Sequence, residues 1–359
     1  MSTTLIVAEK PSAAQKIAYA LGKTEVKREG KVHYFHTKVN GEELIVVPAV
    51  GHLFGLAPKV RGKYPIFDLE WKPIWEVSKK AAFSKPYAKL IEKLAKSADK
   101  FIIACDFDIE GEVIGLNVLR YLCHQKDAKR MKFSTLTAPD LREAYDNVLP
   151  SIAWGQAEAG EARHYLDWIW GVNLSQAAMA ALMEQGIRKT LSIGRVQGPA
   201  LALLAKRELD IRKFVPKPYW QISILLDTKP RIEAWHHTEV FWSEGEAKKI
   251  FEKIKDKPTK LVEVTTVEET LLPPTPFDLT TLQMEAWRNF KLTPKMTQQI
   301  AQDLYTAALI SYPRTSSQKL PPTINYKAIL MSLSREPRYR KLTEDLLKLE
   351  NLIPNEGKK

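Results

Sequence analysis

Phe101 to Cys105 is an uninterrupted apolar run that leads straight into Asp106-Phe107-Asp108-Ile109-Glu110-Gly111-Glu112. A short continuous apolar run of this kind reads as a buried strand, and a buried strand needs a sheet covered on its faces. The same alternation recurs along the first 150 residues. Leu5–Ala8 reads as a strand ending at Glu9, and Lys10-Pro11-Ser12 opens a helix through Leu21, with proline favoured near a helix start. Leu44–Val50 is a second strand, ending at Gly51-His52, and Lys85–Ala98 has helical amphipathic spacing. Val113–Leu122 reads as a helix, Met131–Phe133 as a strand and Pro139–Val148 as a helix. Strands alternating with helices imply an α/β layer with a parallel-type sheet. Working groups in such folds gather at the carboxyl ends of strands, so Glu9 and Asp106 can face each other across neighbours.

Asp106, Asp108 and Glu110 place three carboxylates within five residues. Like charges held a few ångströms apart repel and raise one another's pKa. A hard divalent cation relieves that repulsion. Mg²⁺ takes oxygen ligands and keeps several waters, so two or three of Glu9, Asp106, Asp108 and Glu110 suffice. A crowded fourth carboxyl can stay protonated. A solvated acidic turn at a helix N-terminus, favoured by the dipole, reads the same from pattern alone. The chain has 54 Lys+Arg against 42 Asp+Glu, a formal net charge of +12. That excess suits an anionic polymer, and a merely lysine-rich surface suits it equally.

Cys105 and Cys123 are the two cysteines and form no CxxC pair, which excludes an encoded zinc ribbon or disulfide framework. The N-terminus lacks a basic segment followed by a long apolar core, and no apolar run reaches spanning length. The expectation is a soluble, intracellular (cytoplasmic) protein without a membrane association. From Ala157 to about Ile211 the pattern is helical, broken at Gly171, Gly186 and Gly194. Pro216-Lys217-Pro218 marks a boundary, β-like stretches run to Leu272, and Pro273-Pro274-Thr275-Pro276 marks another. Helices follow at Thr280–Phe290 and Lys295–Ala307, with a charged helical tail from Asn325 to Leu349. Four segments result: 1–150, 151–215, 216–275 and 276–359.

Two further constellations carry possible chemistry. In Ser311-Tyr312-Pro313-Arg314-Thr315-Ser316-Ser317 a phenol and a guanidinium stand two residues apart. A phenolate can form a phosphoester while a guanidinium holds the non-bridging oxygens. An aromatic packed under a turn reads identically. Arg163 and Asp167 lie one helical turn apart, and Ser192-Ile193-Gly194-Arg195-Val196-Gln197 offers groups for phosphates or bases. Helix-surface and capping roles fit these residues as well.

Taken in order, these motifs resemble the N-terminal portion of a type IA DNA topoisomerase, closest to the topoisomerase III and archaeal topoisomerase I branches. Val7-Ala8-Glu9-Lys10-Pro11-Ser12 and Asp106 through Glu112 resemble the two acidic motifs of a Toprim domain. Ala162-Arg163 through Asp167 to Gly171 resembles the family's Arg-x-x-x-Asp helix, and Ser192 through Gln197 its Ser-x-Gly-Arg-Val-Gln motif. Thr281-Leu282-Gln283 resembles the entry to the catalytic helical domain, and Ile310 through Ser316 the motif around the DNA-linking tyrosine. The resemblance implies a Rossmann-like Toprim domain, a helical domain, a β-rich arch segment and a helical domain bearing Tyr312.

It also implies roles. Tyr312 would attack a DNA phosphodiester and retain the 5′-phosphate, Arg314 would hold the scissile phosphate, and Lys10 would serve the leaving 3′-oxygen. Glu9 would move a proton or contact metal, while Asp106, Asp108 and Glu110 would hold Mg²⁺. Arg163, Asp167, Ser192, Arg195, Gln197 and Thr315 would line a single-strand groove, where some of the nine tryptophans could stack. No Gly-rich phosphate loop argues for ATP use. Ser-Tyr-Pro replaces the Thr-Tyr-Met of the bacterial branch. Family members continue well past the tyrosine motif, which implies a fragment or one half of a split enzyme, with a second polypeptide supplying the rest. A Toprim nuclease or primase, and a DNA-binding module without catalysis, are the rival readings.

Overall fold

The computed structural model describes residues 2–60, 62–321 and 324–358. It divides into two compact units, Met1–Arg195 with Leu272–Lys359, and Val196–Leu271.

The first unit is built on a six-stranded sheet. Its strands are β1 (Thr3–Ala8), β2 (Thr24–Glu29), β3 (Val32–Val39), β4 (Glu42–Pro48), β7 (Lys100–Ala104) and β8 (Lys129–Arg130), in the order β2-β3-β4-β1-β7-β8. Between them, β5 (Phe54–Pro58) and β6 (Leu69–Pro73) form a separate antiparallel pair. β1 runs parallel to both β4 and β7, while β2, β3 and β4 form an antiparallel edge. Leu5 and Val7 pack on one face of the sheet, Ile6 and Ala8 on the other, because successive strand residues alternate. All four are fully buried, which is why β1 reads as a continuous apolar run.

Helices cover both faces: α1 (Pro11–Leu21), α2 (Ile74–Val77), α3 (Lys85–Ala95), α4 (Ile109–Val118), α5 (Ala138–Asp146) and α6 (Trp154–Glu184). The face of Leu5, Val7 and Ile103 meets Leu90 and Ile91 of α3 and Leu116 and Val118 of α4. The opposite face meets Ile17 of α1, Leu141 of α5 and Tyr305. Each fully buried aliphatic side chain contributes about 1.5–3 kcal/mol.

The second unit holds α7 (Gln197–Lys213), an antiparallel pair β9 (Ser223–Leu226) and β10 (Ile232–Trp235), and α8 (Glu244–Ile254). Its small core joins Ile222, Phe241 and Ala247. The first unit resumes with α9 (Leu279–Phe290), α10 (Pro294–Thr306), α11 (Tyr326–Leu333) and α12 (Arg340–Leu346).

Several expectations change. α4 begins at Ile109, so the last acids lie in its first turn, with Asp108 as its N-cap (Oδ1 accepting from Gly111 N at 2.8 Å). Strand β8 occupies Lys129–Arg130 rather than Met131–Phe133. α6 runs through Gly171 without a break, because packing overrides a single glycine's weak propensity cost. Within the expected β-rich segment, Ala247, Ile250, Phe251 and Ile254 repeat with helical spacing and form α8 instead.

Candidate active site

β1 and β7 are neighbours in register, with Ala8 opposite Ala104, so the residues that follow them emerge side by side. Lys10 Nζ lies 3.3 Å from Glu9 Oε1 and 3.0 Å from Asp106 Oδ2. Burial opposes the charge on Lys10, but Glu9 and Asp106 outweigh it and raise its pKa. The Glu9 carboxyl is raised above the ordinary range by burial first and then by Asp106, with Asp108 adding to the effect.

The acidic loop is fixed from beneath by Arg130, which is fully buried. Its Nε donates to Glu112 Oε1 at 2.6 Å, Nη1 donates to Cys105 O and Met131 O at 2.8 Å each, and Nη2 donates to Asp106 O at 2.9 Å. Gly111 faces the carbonyl oxygen of Asp106 so closely that a Cβ there would collide with it. That contact explains why a glycine stands between two glutamates.

Tyr312 lies in an irregular stretch after α10 and is tied to the Toprim-like layer at two points. Its N–H donates to Ser134 O at 2.9 Å, and its Oη donates to Asp108 Oδ2 at 2.5 Å. Burial, and then the hydrogen bond to Asp108, push the phenol far above its ordinary pKa, so it is protonated in this arrangement. The ring of Tyr305 stands 5.1 Å away in an edge-on contact, and Tyr305 Oη donates to Asp106 Oδ1 at 3.0 Å. Two tyrosines, one on α10 and one just after it, thus engage Asp106 and Asp108 separately.

Arg314 joins Glu9 on the wall of a cavity of about 440 Å³, with Glu110, Arg163, His164, Asp167 and His52 on its other sides. Gln298, with its amide oxygen turned to the guanidinium, accepts from Arg314 Nε at 2.7 Å and Nη2 at 2.8 Å.

The four acids of the expected metal set divide. Glu9, Asp106 and Asp108 surround Lys10 and Tyr312. Glu110 turns to His52 Nε2 and His164 Nε2, both 3.0 Å from its Oε2, and to Arg163 Nη1, 3.2 Å from its Oε1. Those histidines hold the Glu110 carboxyl well below the usual range, His164 first and His52 next. Glu9, Asp106 and Asp108 offer oxygen donors alone. Glu9 and Asp106 share one ammonium, that of Lys10, and Asp108 accepts from the Tyr312 hydroxyl, so this all-oxygen donor set fits a hard cation such as Mg²⁺.

The expected groove residues are placed as follows. Arg163 Nε lies 3.5 Å from Asp167 Oδ2, and Arg195 Nε donates to Asp167 Oδ1 at 2.6 Å, so one carboxylate gathers two guanidiniums. Arg195 foremost holds the Asp167 carboxyl low. Ser192 is exposed in the irregular segment after α6, and Gln197 opens α7 of the other unit. Thr315 O accepts from Leu279 N at 3.0 Å and its Oγ1 from Ser317 N at 3.1 Å, which ties the tyrosine segment to α9.

Arg130, Tyr305, His52 and His164 were not singled out by sequence. Arg130 sits in a Lys-Arg pair that reads as surface charge, and Tyr305 on the apolar face of an amphipathic helix. Gly51-His52 at a strand end and His164 beside Arg163 were visible, but nothing in sequence joins them.

Residues 4–136 match the Toprim domain family, and residues 151–359 match the DNA topoisomerase family. DNA topoisomerase 1 of Methanocaldococcus jannaschii is 51% identical over 362 residues, covering 99% of this chain and 47% of that protein. DNA topoisomerase 1 of Pyrococcus horikoshii is 46% identical over 363 residues, covering 99% of this chain and 53% of that protein. The full-length topoisomerase I structure from Thermotoga maritima superposes with a TM-score of 0.63 at 26% identity, over 93% of this chain and 52% of that one. The chain spans about half the length of the curated relatives it matches. A Toprim layer whose acids meet a tyrosine from the segment after α10 agrees with these matches, and the chain belongs to the type IA DNA topoisomerase family.

Proposed function

We propose that this chain cleaves and reseals single-stranded or underwound DNA through Tyr312. The observation that carries the reading is the Tyr312 Oη hydrogen bond to Asp108, next to the Lys10–Asp106 pair. Tyr312 Oη attacks the phosphorus and its proton passes to Asp108 Oδ2. The P–O3′ bond breaks, Lys10 Nζ protonates the departing 3′-oxygen, and the 5′-phosphate stays on the tyrosine. Resealing reverses these transfers. Arg314 holds the non-bridging oxygens as charge develops on them. Glu9, 3.3 Å from Lys10 Nζ, is placed to relay a proton back to it.

Asp106 and Asp108, with Glu9, would hold Mg²⁺, which would neutralise phosphate charge during resealing. Arg163 and Arg195, gathered by Asp167, with Ser192 and Thr315, supply phosphate and base contacts along the strand. Relaxation or decatenation by the whole protein requires passage of a second strand through the break that Tyr312 opens.

The test is an oligonucleotide cleavage assay with the label at either end. The proposal predicts a denaturation-resistant protein adduct carrying the 3′-terminal label. Free ends without adduct would instead identify a Toprim-type nuclease, and binding without cleavage a DNA-binding module.

A further inference from the structure

Among the described residues, His52, Glu110 and His164 are the trio of side chains spaced to hold a metal ion, their donor atoms all within 4.8 Å of one another. We propose that they form a site for one borderline divalent cation of the Zn²⁺ or Co²⁺ type, separate from the oxygen donors around Tyr312.

Two helices and the segment joining β4 to β5 deliver the donors. His52 lies in that segment, Glu110 in the first turn of α4, and His164 on α6. α4 and α6 are locked together at Gly160, where a Cβ would strike Val113 and the Ile109 carbonyl. Both His Nε2 atoms stand 3.0 Å from Glu110 Oε2. A cation with bonds of about 2.1 Å at right angles sets neighbouring donors about 3.0 Å apart. Both imidazole–carboxylate pairs therefore stand at the edge length of an octahedral ion, and the two imidazole donors lie within 4.8 Å of each other. A small outward adjustment gives tetrahedral spacing.

The surroundings favour metallation. Arg163 Nη1 occupies the other oxygen of Glu110 at 3.2 Å and leaves Oε2 as a single directed donor. The His52 and His164 rings meet edge-on at 4.9 Å, and Trp71 stands 5.4 Å from the His164 ring, so the imidazole planes are held by packing. The trio opens on the cavity shared with Glu9 and Arg314, which gives an entry path and room for water or a phosphate oxygen as the remaining ligand. Imidazole donors select Zn²⁺, Co²⁺ or Fe²⁺ over Mg²⁺, whose preference is for oxygen. The site and the acidic set would thus fill from different ions, and the inference does not depend on strand cleavage.

The test uses the 359-residue chain stripped of metal and titrated with Co²⁺ in excess Mg²⁺, read by visible absorption and by bound-metal analysis after dialysis. The expected result is one Co²⁺ retained per chain, with ligand-field bands, and displacement by Zn²⁺ accompanied by a rise in Tm. His164→Gln, a substitution on a helix surface, should weaken binding by more than about 100-fold, exceeding the loss caused by removing an outer-sphere partner. His52→Gln provides a second variant, and circular dichroism verifies that each is folded. No Co²⁺ retained in excess Mg²⁺, or equal retention by folded His164→Gln and His52→Gln, overturns the proposal.

Discussion

Replacing Arg130 with methionine tests how the acidic loop is held. The guanidinium and Glu112 are both fully buried, at 2.6 Å. Removing one partner of such a pair costs about 3–5 kcal/mol, because the remaining charge stays buried without compensation. The substitution also takes a donor from Cys105 O and Met131 O, each worth about 1 kcal/mol. Asp106 O and Ile103 O suffer less, since Asp108 N (3.0 Å) and Met131 N (2.9 Å) still donate to them. The total is about 5–7 kcal/mol, comparable to the whole stability of many domains. Urea unfolding followed by tryptophan fluorescence should place Arg130→Met near the unfolding threshold at neutral pH. The double variant Arg130→Met/Glu112→Leu should recover most of the charge penalty but not the share of the carbonyls. A single variant destabilised by less than about 1 kcal/mol would refute the claim that this pair anchors the loop.

Other outcomes follow from the same contacts. Tyr305→Phe removes the donor to Asp106, should cost about 1–2 kcal/mol in urea unfolding, and should slow single-turnover oligonucleotide cleavage while the edge-on ring contact with Tyr312 persists. Gly160→Ala forces a Cβ against Val113 and the Ile109 carbonyl and should cost about 1–3 kcal/mol, read as a lowered Tm. The Asp278 carboxyl, lowered to about 2 by Thr281 and Lys358, caps α9. Because its folded pKa is depressed, its contribution is present above the ordinary value of about 3.9 and is lost as pH falls through the lowered one. The stability gap between wild type and Asp278→Asn should therefore close as the pH drops below about 4.

The central strands were legible because residues buried on both faces leave continuous apolar runs, as in Leu5–Ala8 and Phe101–Ala104. The antiparallel edge β2–β3 was not, since its residues alternate between solvent and core and carry many charges, as in Lys27, Arg28 and Glu29. Helix α8 was missed for a related reason: its apolar positions are few and lie among lysines and glutamates. Motif order pointed to Glu9, Lys10, Asp106, Asp108, Tyr312 and Arg314, and the fold brings them near one another. How the acids divide was not, because the separation of Glu110 depends on His52 and His164 arriving from other elements. Arg130 was invisible because burial of a charge is decided by tertiary packing, and a Lys129-Arg130 pair reads as surface charge.

The central claim is that Tyr312 is the nucleophile set against the Toprim acids. Tyr312→Phe removes one oxygen and leaves the ring contact with Tyr305 and the backbone bond to Ser134 in place. The most direct measurement compares wild type and Tyr312→Phe for covalent adduct on a single-stranded oligonucleotide, with binding measured in parallel. The account predicts unchanged binding and complete loss of the adduct. An adduct of undiminished yield in Tyr312→Phe would contradict it.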